Sequence, residues 1–254
     1  AGLQAAGSTE IVEPVPSRDH TERMLAALDA PVERTGATSV RVKAGEPRPF
    51  ELDVPGDPSS AAFFVVATVV TPGSELTVEG VDLNPTRLGF VEVLRRMGAD
   101  LEVRVREDRL GEPVGDLVAR AGPLTGTVVG GDEIPNVQDE VPVLAVAAAF
   151  ADGITEFRDV AELRVKESDR IATVEAGLGR LGVGVESAPD RLVVRGGHPE
   201  PGVWDSHGDH RVAMAGAVAA NAVAGASTVR GWASVASSYP RFADDLAACT
   251  RPGR

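Results

Sequence analysis

Three short stretches carry residues suited to moving protons on a negatively charged substrate. Leu163-Arg-Val-Lys-Glu-Ser-Asp-Arg170 sets Lys166, Glu167 and Arg170 at the mouth of a helical pattern. Ile134-Pro-Asn-Val-Gln leads to Asp139-Glu140, and Gly208-Asp-His-Arg211 puts His210 and Arg211 at another helix opening. Carboxylates beside cations are what proton transfer on an anion requires: one group accepts a proton and another delivers it. A helix N-terminus adds unpaired N–H groups and positive partial charge. Lys166 and Arg170 share a face if their helix begins early enough. By itself the octapeptide also reads as a solvated first turn with ordinary charge patterning. The recurrence of similar clusters at Asp139 and Arg211 is what favours a site.

Other chemistries fit less well. Asp205, His207, Asp209 and His210 are metal-ligand types, but no further well-spaced set accompanies them. Asp209 is more simply a helix cap. Neither a Gly-x-Ser-x-Gly elbow nor a Walker-type phosphate loop occurs. Near the front, Pro16-Ser-Arg-Asp-His-Thr-Glu opens another helix. Ser17 there is either its cap or a phosphate ligand, and the cap is the simpler reading.

The elements that must position these clusters recur along the chain. Segments beginning Asp57-Pro-Ser-Ser, Asp139-Glu-Val-Pro and Asp209-His-Arg-Val each continue as a small-residue apolar helix, a Gly turn and a strand. The opening Asp is a good N-cap in each. Amphipathic helices alternate with them, at 21–28, 86–97 and 168–181, each leading to a strand and often a hairpin; 241–249 is the last. The unit is β-α-β-α-β-β, an α/β (α+β) repeat. If the units stack in parallel, the helix openings converge on one side around a single anion site. Residues 1–13 read as the end of an apolar helix, its Gly turn and its strand, so the chain is expected to start inside a unit. A boundary is expected near residues 50–56, where a strand-like run ends in Pro55-Gly56.

Composition sets bounds. With 254 residues, 43% hydrophobic and 25% charged, the chain suits one large or two modest soluble domains. A net charge of −13 argues against nucleic acid or an anionic membrane as partner. The single Cys249 excludes an intramolecular disulfide, points to a reducing compartment, and is expected to be a small buried residue. No apolar run approaches the ~18–20 residues of a membrane span, and no signal-peptide pattern is visible.

The motifs Ser17-Arg-Asp-His-Thr-Glu, Gly56-Asp-Pro-Ser-Ser-Ala-Ala, Asp139-Glu-Val-Pro, Leu163–Arg170 and Gly208-Asp-His-Arg-Val-Ala-Met214 occur in that order over essentially the whole chain. Together they resemble the EPSP synthase family, the 3-phosphoshikimate 1-carboxyvinyltransferases. The resemblance implies two domains, each an inside-out α/β barrel of three such units. Residues 1–54 would be the C-terminal remnant of one domain, and 55–254 most of the second. It implies that the 5-hydroxyl of shikimate 3-phosphate adds to C2 of phosphoenolpyruvate while the methylene carbon gains a proton, after which phosphate leaves. No metal or organic cofactor is implied, and the enzyme would be a cytoplasmic monomer.

By motif position, Asp139 would face the sugar hydroxyls and accept the proton. Glu167 would give and take the proton at the methylene carbon, and Lys166 would contact the shikimate hydroxyl or share in proton transfer. Arg170 and Arg211 would hold the phosphoenolpyruvate charges, with His210 beside them, and Ser17 would bind the 3-phosphate. Ser237 stands where some members carry a phosphate-binding Lys. Other family ligands would lie upstream of Ala1, so the chain alone is expected to have little or no activity. UDP-N-acetylglucosamine 1-carboxyvinyltransferases share the implied fold, but the Lys-Glu-Ser-Asp-Arg and Gly-Asp-His-Arg-Val-Ala-Met motifs favour the shikimate enzyme. A rival of another class is a non-catalytic anion-binding repeat scaffold.

Overall fold

A computed structural model describes residues 1–250. The repeat is visible in the order of its elements. The first group is β1 (Ser8–Val12), α1 (His20–Ala27), β2 (Val32–Arg34) and β3 (Ser39–Lys43), with strands in the order β1-β3-β2. Next come α2 (Pro58–Val69), β4 (Glu75–Asp82), α3 (Gly89–Arg96), β5 (Asp100–Arg109) and β6 (Glu112–Arg120), ordered β4-β6-β5. The third group is β7 (Val128–Val129), α4 (Val141–Ala149), β8 (Ile154–Phe157), α5 (Arg170–Arg180), β9 (Gly184–Ala188) and β10 (Arg191–Arg195), ordered β7-β8-β10-β9. The last is β11 (Val203–Asp205), α6 (His210–Ala222), β12 (Thr228–Arg230) and α7 (Phe242–Cys249).

Parallel pairing marks the start of each full unit. β7 runs parallel to β8, and β11 to β12. In the second group that strand shrinks to a single parallel bridge, Gly56 to Val81. The strand-like run expected before Pro55 therefore forms no more than this bridge. The hairpins and the β1-β3-β2 sheet are antiparallel.

Small residues decide where the core lies. α2, α4 and α6 pack against one another, and all nine residues of α4 are buried. Their Ala- and Val-rich faces let helices approach closely on every side, which an amphipathic helix could not do without burying charge. The amphipathic α3 and α5 lie outside this trio against the sheets, so helices occupy the centre and strands the periphery. That is the inside-out arrangement expected, built from separate sheets; among the described residues the strands close no continuous barrel. The close fit is sharpest at Trp204, whose ring lies between α5 and α6. A Cβ added at Gly177 would stand 2.7 Å from that ring, and one at Gly216 2.5 Å, so only glycine fits on either side.

A polar joint ties the first group to the second. Asn84 is fully buried and donates from Nδ2 to Asp19 (2.9 Å) and Glu112 (2.8 Å), while its Oδ1 accepts from the N–H and hydroxyl of Thr86. His20 Nδ1 lies 2.8 Å from Glu112 Oε1. Asn84→Ala removes one donor from each of two buried carboxylates, Asp19 and Glu112, and should cost about 2–3 kcal/mol. The check is a denaturant midpoint that falls with an unchanged slope.

Two expectations are corrected here. Cys249 lies exposed in the last turn of α7 rather than buried. The helix expected over 86–97 begins instead as a 3₁₀ turn, Pro85–Arg87, before α3. No helix among the described residues is long and apolar enough to cross a membrane.

Candidate active site

The helix openings of the third and fourth groups meet, as parallel stacking requires. α6 is capped by Asp209, whose Oδ1 accepts from the N–H groups of Arg211 (2.9 Å) and Val212 (3.3 Å). Its other oxygen accepts from Arg170 Nε at 2.8 Å, and both side chains are essentially buried. Arg170 then spans three elements. Its Nη2 donates to Glu167 at 2.5 Å, and its Nη1 lies 3.5 Å from Asp139 Oδ1. Burial of so large a cation is tolerable because three carboxylates surround it.

Asp139 is the point of convergence. The repeat pattern casts it as the N-cap of α4, but α4 begins at Val141 and the N-cap position falls to Glu140. Released from capping, the Asp139 carboxylate receives Arg18 Nη2 at 2.7 Å and Arg211 Nη2 at 3.3 Å as well as Arg170. Burial pushes its carboxyl up, yet Arg211, Arg18 and Arg170 outweigh it and hold Asp139 below the ordinary 3.8. The sign follows: these ion pairs are complete above 3.8 and are lost as pH falls through the lower folded value. The Tm difference between wild type and Asp139→Asn should therefore narrow as thermal scans are taken to pH below 3.8.

The remaining expected residues divide. α5 starts only at Arg170, its N-cap Asp169 accepting from the Ala172 N–H (3.0 Å), so Lys166 lies outside the helix and shares no helical face with Arg170. Lys166 instead pairs with Glu162 at 2.6 Å. The Ser17 hydroxyl donates to Glu13 at 2.5 Å and does not cap α1, whose N-cap is Asp19. His210 opens α6 beside Arg211. Burial first, and the Arg211 charge second, hold its imidazole below the ordinary 6.5. The Ser237 hydroxyl donates to the Ser234 carbonyl on an exposed turn. Of the suggested metal set, Asp209 is committed to the α6 cap and Arg170, and Asp205 to the N–H of His207. Among the described residues the metal-type grouping is elsewhere, at His20, Asp82 and Glu112, where the imidazole and Asn84 already engage the acids directly.

Arg18 was not among the expected ligands, although it stands inside the Ser17-Arg-Asp-His motif. Its partner Asp139 is 121 residues away, a distance that no local spacing rule reaches. Arg87 belongs to the same neighbourhood, donating to Asp57 Oδ1 (2.7 Å) and Ser59 Oγ (2.9 Å) at the α2 opening.

Buried small-residue helices with arginine–carboxylate clusters at their converging N-termini are the defining features of this domain. The enolpyruvyl transferase NikO from Streptomyces tendae shares this fold at a TM-score of 0.77 and 24% identity, over 98% of this chain and 57% of that one. The chain belongs to the EPSP synthase (3-phosphoshikimate 1-carboxyvinyltransferase) family, whose model matches residues 1–246. It is 49% identical to the 3-phosphoshikimate 1-carboxyvinyltransferase of Synechococcus sp. (strain JA-3-3Ab) over 99% of this chain and 57% of the relative. The EPSP synthase structure from Acinetobacter baumannii aligns with a TM-score of 0.91 at 38% identity, covering 98% of this chain and 58% of that one. The chain thus spans a little over half the length of these relatives.

Proposed function

We propose that this chain supplies the catalytic carboxylates of a 3-phosphoshikimate 1-carboxyvinyltransferase, with residues 1–54 belonging to one domain and 55–254 to the other. The observation that carries the reading is the convergence of Arg18, Arg170 and Arg211 on Asp139, with Glu167 held on the same Arg170. Free of substrate, these cations are satisfied by carboxylates. An incoming phosphate and carboxylate compete for the same guanidinium groups, which bind such anions well.

That competition also arms the base. With its cations drawn to the substrates, Asp139 loses what holds its proton affinity down, and it becomes able to take the proton of the 5-hydroxyl. The oxygen adds to C2 of phosphoenolpyruvate while Glu167 delivers a proton to the methylene carbon, which becomes a methyl group. In the second half Glu167 takes a proton back from that methyl group, the C–O bond to phosphate breaks with the proton held by Asp139 passing to the departing phosphate oxygen, and the enolpyruvyl ether forms. Side chains carry every proton, so the scheme uses no cofactor or metal. Lys166 stands beside Glu167 in sequence and serves the shikimate hydroxyl; Ser17, next to Arg18, serves the 3-phosphate.

A net charge of −13 and a single cysteine support work in the cytoplasm without nucleic acid or an anionic membrane, and the family resemblance supports a monomer. In a full-length context, phosphate release should require both shikimate 3-phosphate and phosphoenolpyruvate. Release with UDP-N-acetylglucosamine in place of shikimate 3-phosphate would reverse the choice of acceptor.

A further inference from the structure

Glu140 is a buried acid that the mechanism above leaves unused. Its side chain lies between α4 and α2, only 3% exposed, and accepts a short hydrogen bond from the Ser59 hydroxyl. Ser59 is itself buried and receives Arg87 Nη2 at 2.9 Å. Arg87 spends its remaining contact on Asp57. Among the described residues no Lys, Arg or His nitrogen forms an ion pair with Glu140, although Arg18, Arg170 and Arg211 pair with the adjoining Asp139.

The charge of the cluster gives this a meaning. Arg18, Arg170 and Arg211 stand against Asp139, Glu167 and Asp209, so three cations meet three carboxylates. Arg87 and Asp57 cancel beside them. An ionised Glu140 would tip this balance negative where two anionic substrates must bind. A buried carboxylate without a cation partner is also costly in itself, whereas a neutral carboxylic acid accepting one hydrogen bond costs far less.

We propose that Glu140 is a positioning residue that works as a neutral carboxylic acid. It ties the α4 opening to α2 through Ser59, keeps Asp139 turned toward the arginines, and leaves the cluster free of a fourth negative charge. The inference rests on the functional reading given above. The groups facing Glu140 are Ser59 on α2, Arg87 and Asp57 at the α2 opening, Arg211 on α6 and the neighbouring Asp139. Burial pushes its carboxyl above the ordinary 4.5, with Ser59 and Arg211 only partly opposing that.

Two measurements decide it in the full-length enzyme. The first needs no catalysis: infrared difference spectra of wild type against Glu140→Gln at pH 7 should show the carbonyl band of one protonated carboxyl, lost in the variant. Its absence overturns the proposal. The second is kinetic. Glu140→Gln, a permanently neutral amide of the same shape, should keep the KM for phosphoenolpyruvate within about twofold of wild type at pH 7, and should remove the rise in KM on the alkaline side. Glu140→Ala should raise that KM about tenfold, the equivalent of one buried hydrogen bond. A tenfold loss in Glu140→Gln, or an alkaline limb that persists in it, overturns the proposal. A wild-type enzyme that forms no enolpyruvyl product would instead refute the functional reading, and the infrared band would still report on Glu140.

Discussion

Asp139→Asn in a full-length context is expected to lower kcat about 10²- to 10⁴-fold, the usual contribution of a general acid–base group. The amide keeps the size of the carboxylate and one oxygen for Arg18 or Arg211, so the fold should survive. What it cannot do is take the proton of an attacking hydroxyl. Glu167→Gln should cost a similar factor by removing the donor to the methylene carbon. It leaves Arg170 anchored to Asp209 and Asp139. A scaffold that only binds anions predicts the reverse: both variants bind substrates as before, and no turnover exists to lose. Steady-state kcat with circular dichroism as the folding control separates the two.

Asp209→Ala should be the most damaging single change to stability in the site, at about 3–5 kcal/mol. The residue does two jobs with two oxygens. One caps α6 through the N–H groups of Arg211 and Val212; the other holds the buried Arg170 at 2.8 Å. Loss of a cap alone costs ~1 kcal/mol, so a small effect in denaturant would show that Arg170 is not truly held there. Asp209→Asn keeps a capping oxygen but turns an amide to Arg170, and should fall between the two. Because Arg170 also reaches Asp139 and Glu167, both variants should weaken phosphoenolpyruvate binding as well as stability.

The sequence made the repeat legible because its signals are local. A capping Asp, a run of small apolar residues and a Gly turn all lie within a few positions, and two of the three expected caps, Asp57 and Asp209, are caps. The third shows where local reading ends. Asp139 and Glu140 are adjacent acids, and composition does not say which enters the helix. The structure gives the N-cap position to Glu140 and sends Asp139 out to the arginines. Lys166 and Arg170 share a face only if their helix begins early enough, and it begins at Arg170. Arg18 and the Asp19–His20–Asn84–Glu112 joint depend on residues brought together from distant parts of the chain. Pairings of that kind follow from how the units stack, which periodicity does not encode.

Proton traffic at the methylene carbon of phosphoenolpyruvate tests the central claim most directly. With the full-length enzyme in D₂O, addition should place one solvent deuteron on that carbon and elimination should remove one hydrogen from the resulting methyl group. The enolpyruvyl product should therefore carry deuterium in its methylene group, as read by mass spectrometry. Glu167→Gln should form this labelled product at least 10²-fold more slowly. Product formed without deuterium, or labelled at an undiminished rate in Glu167→Gln, would contradict the account.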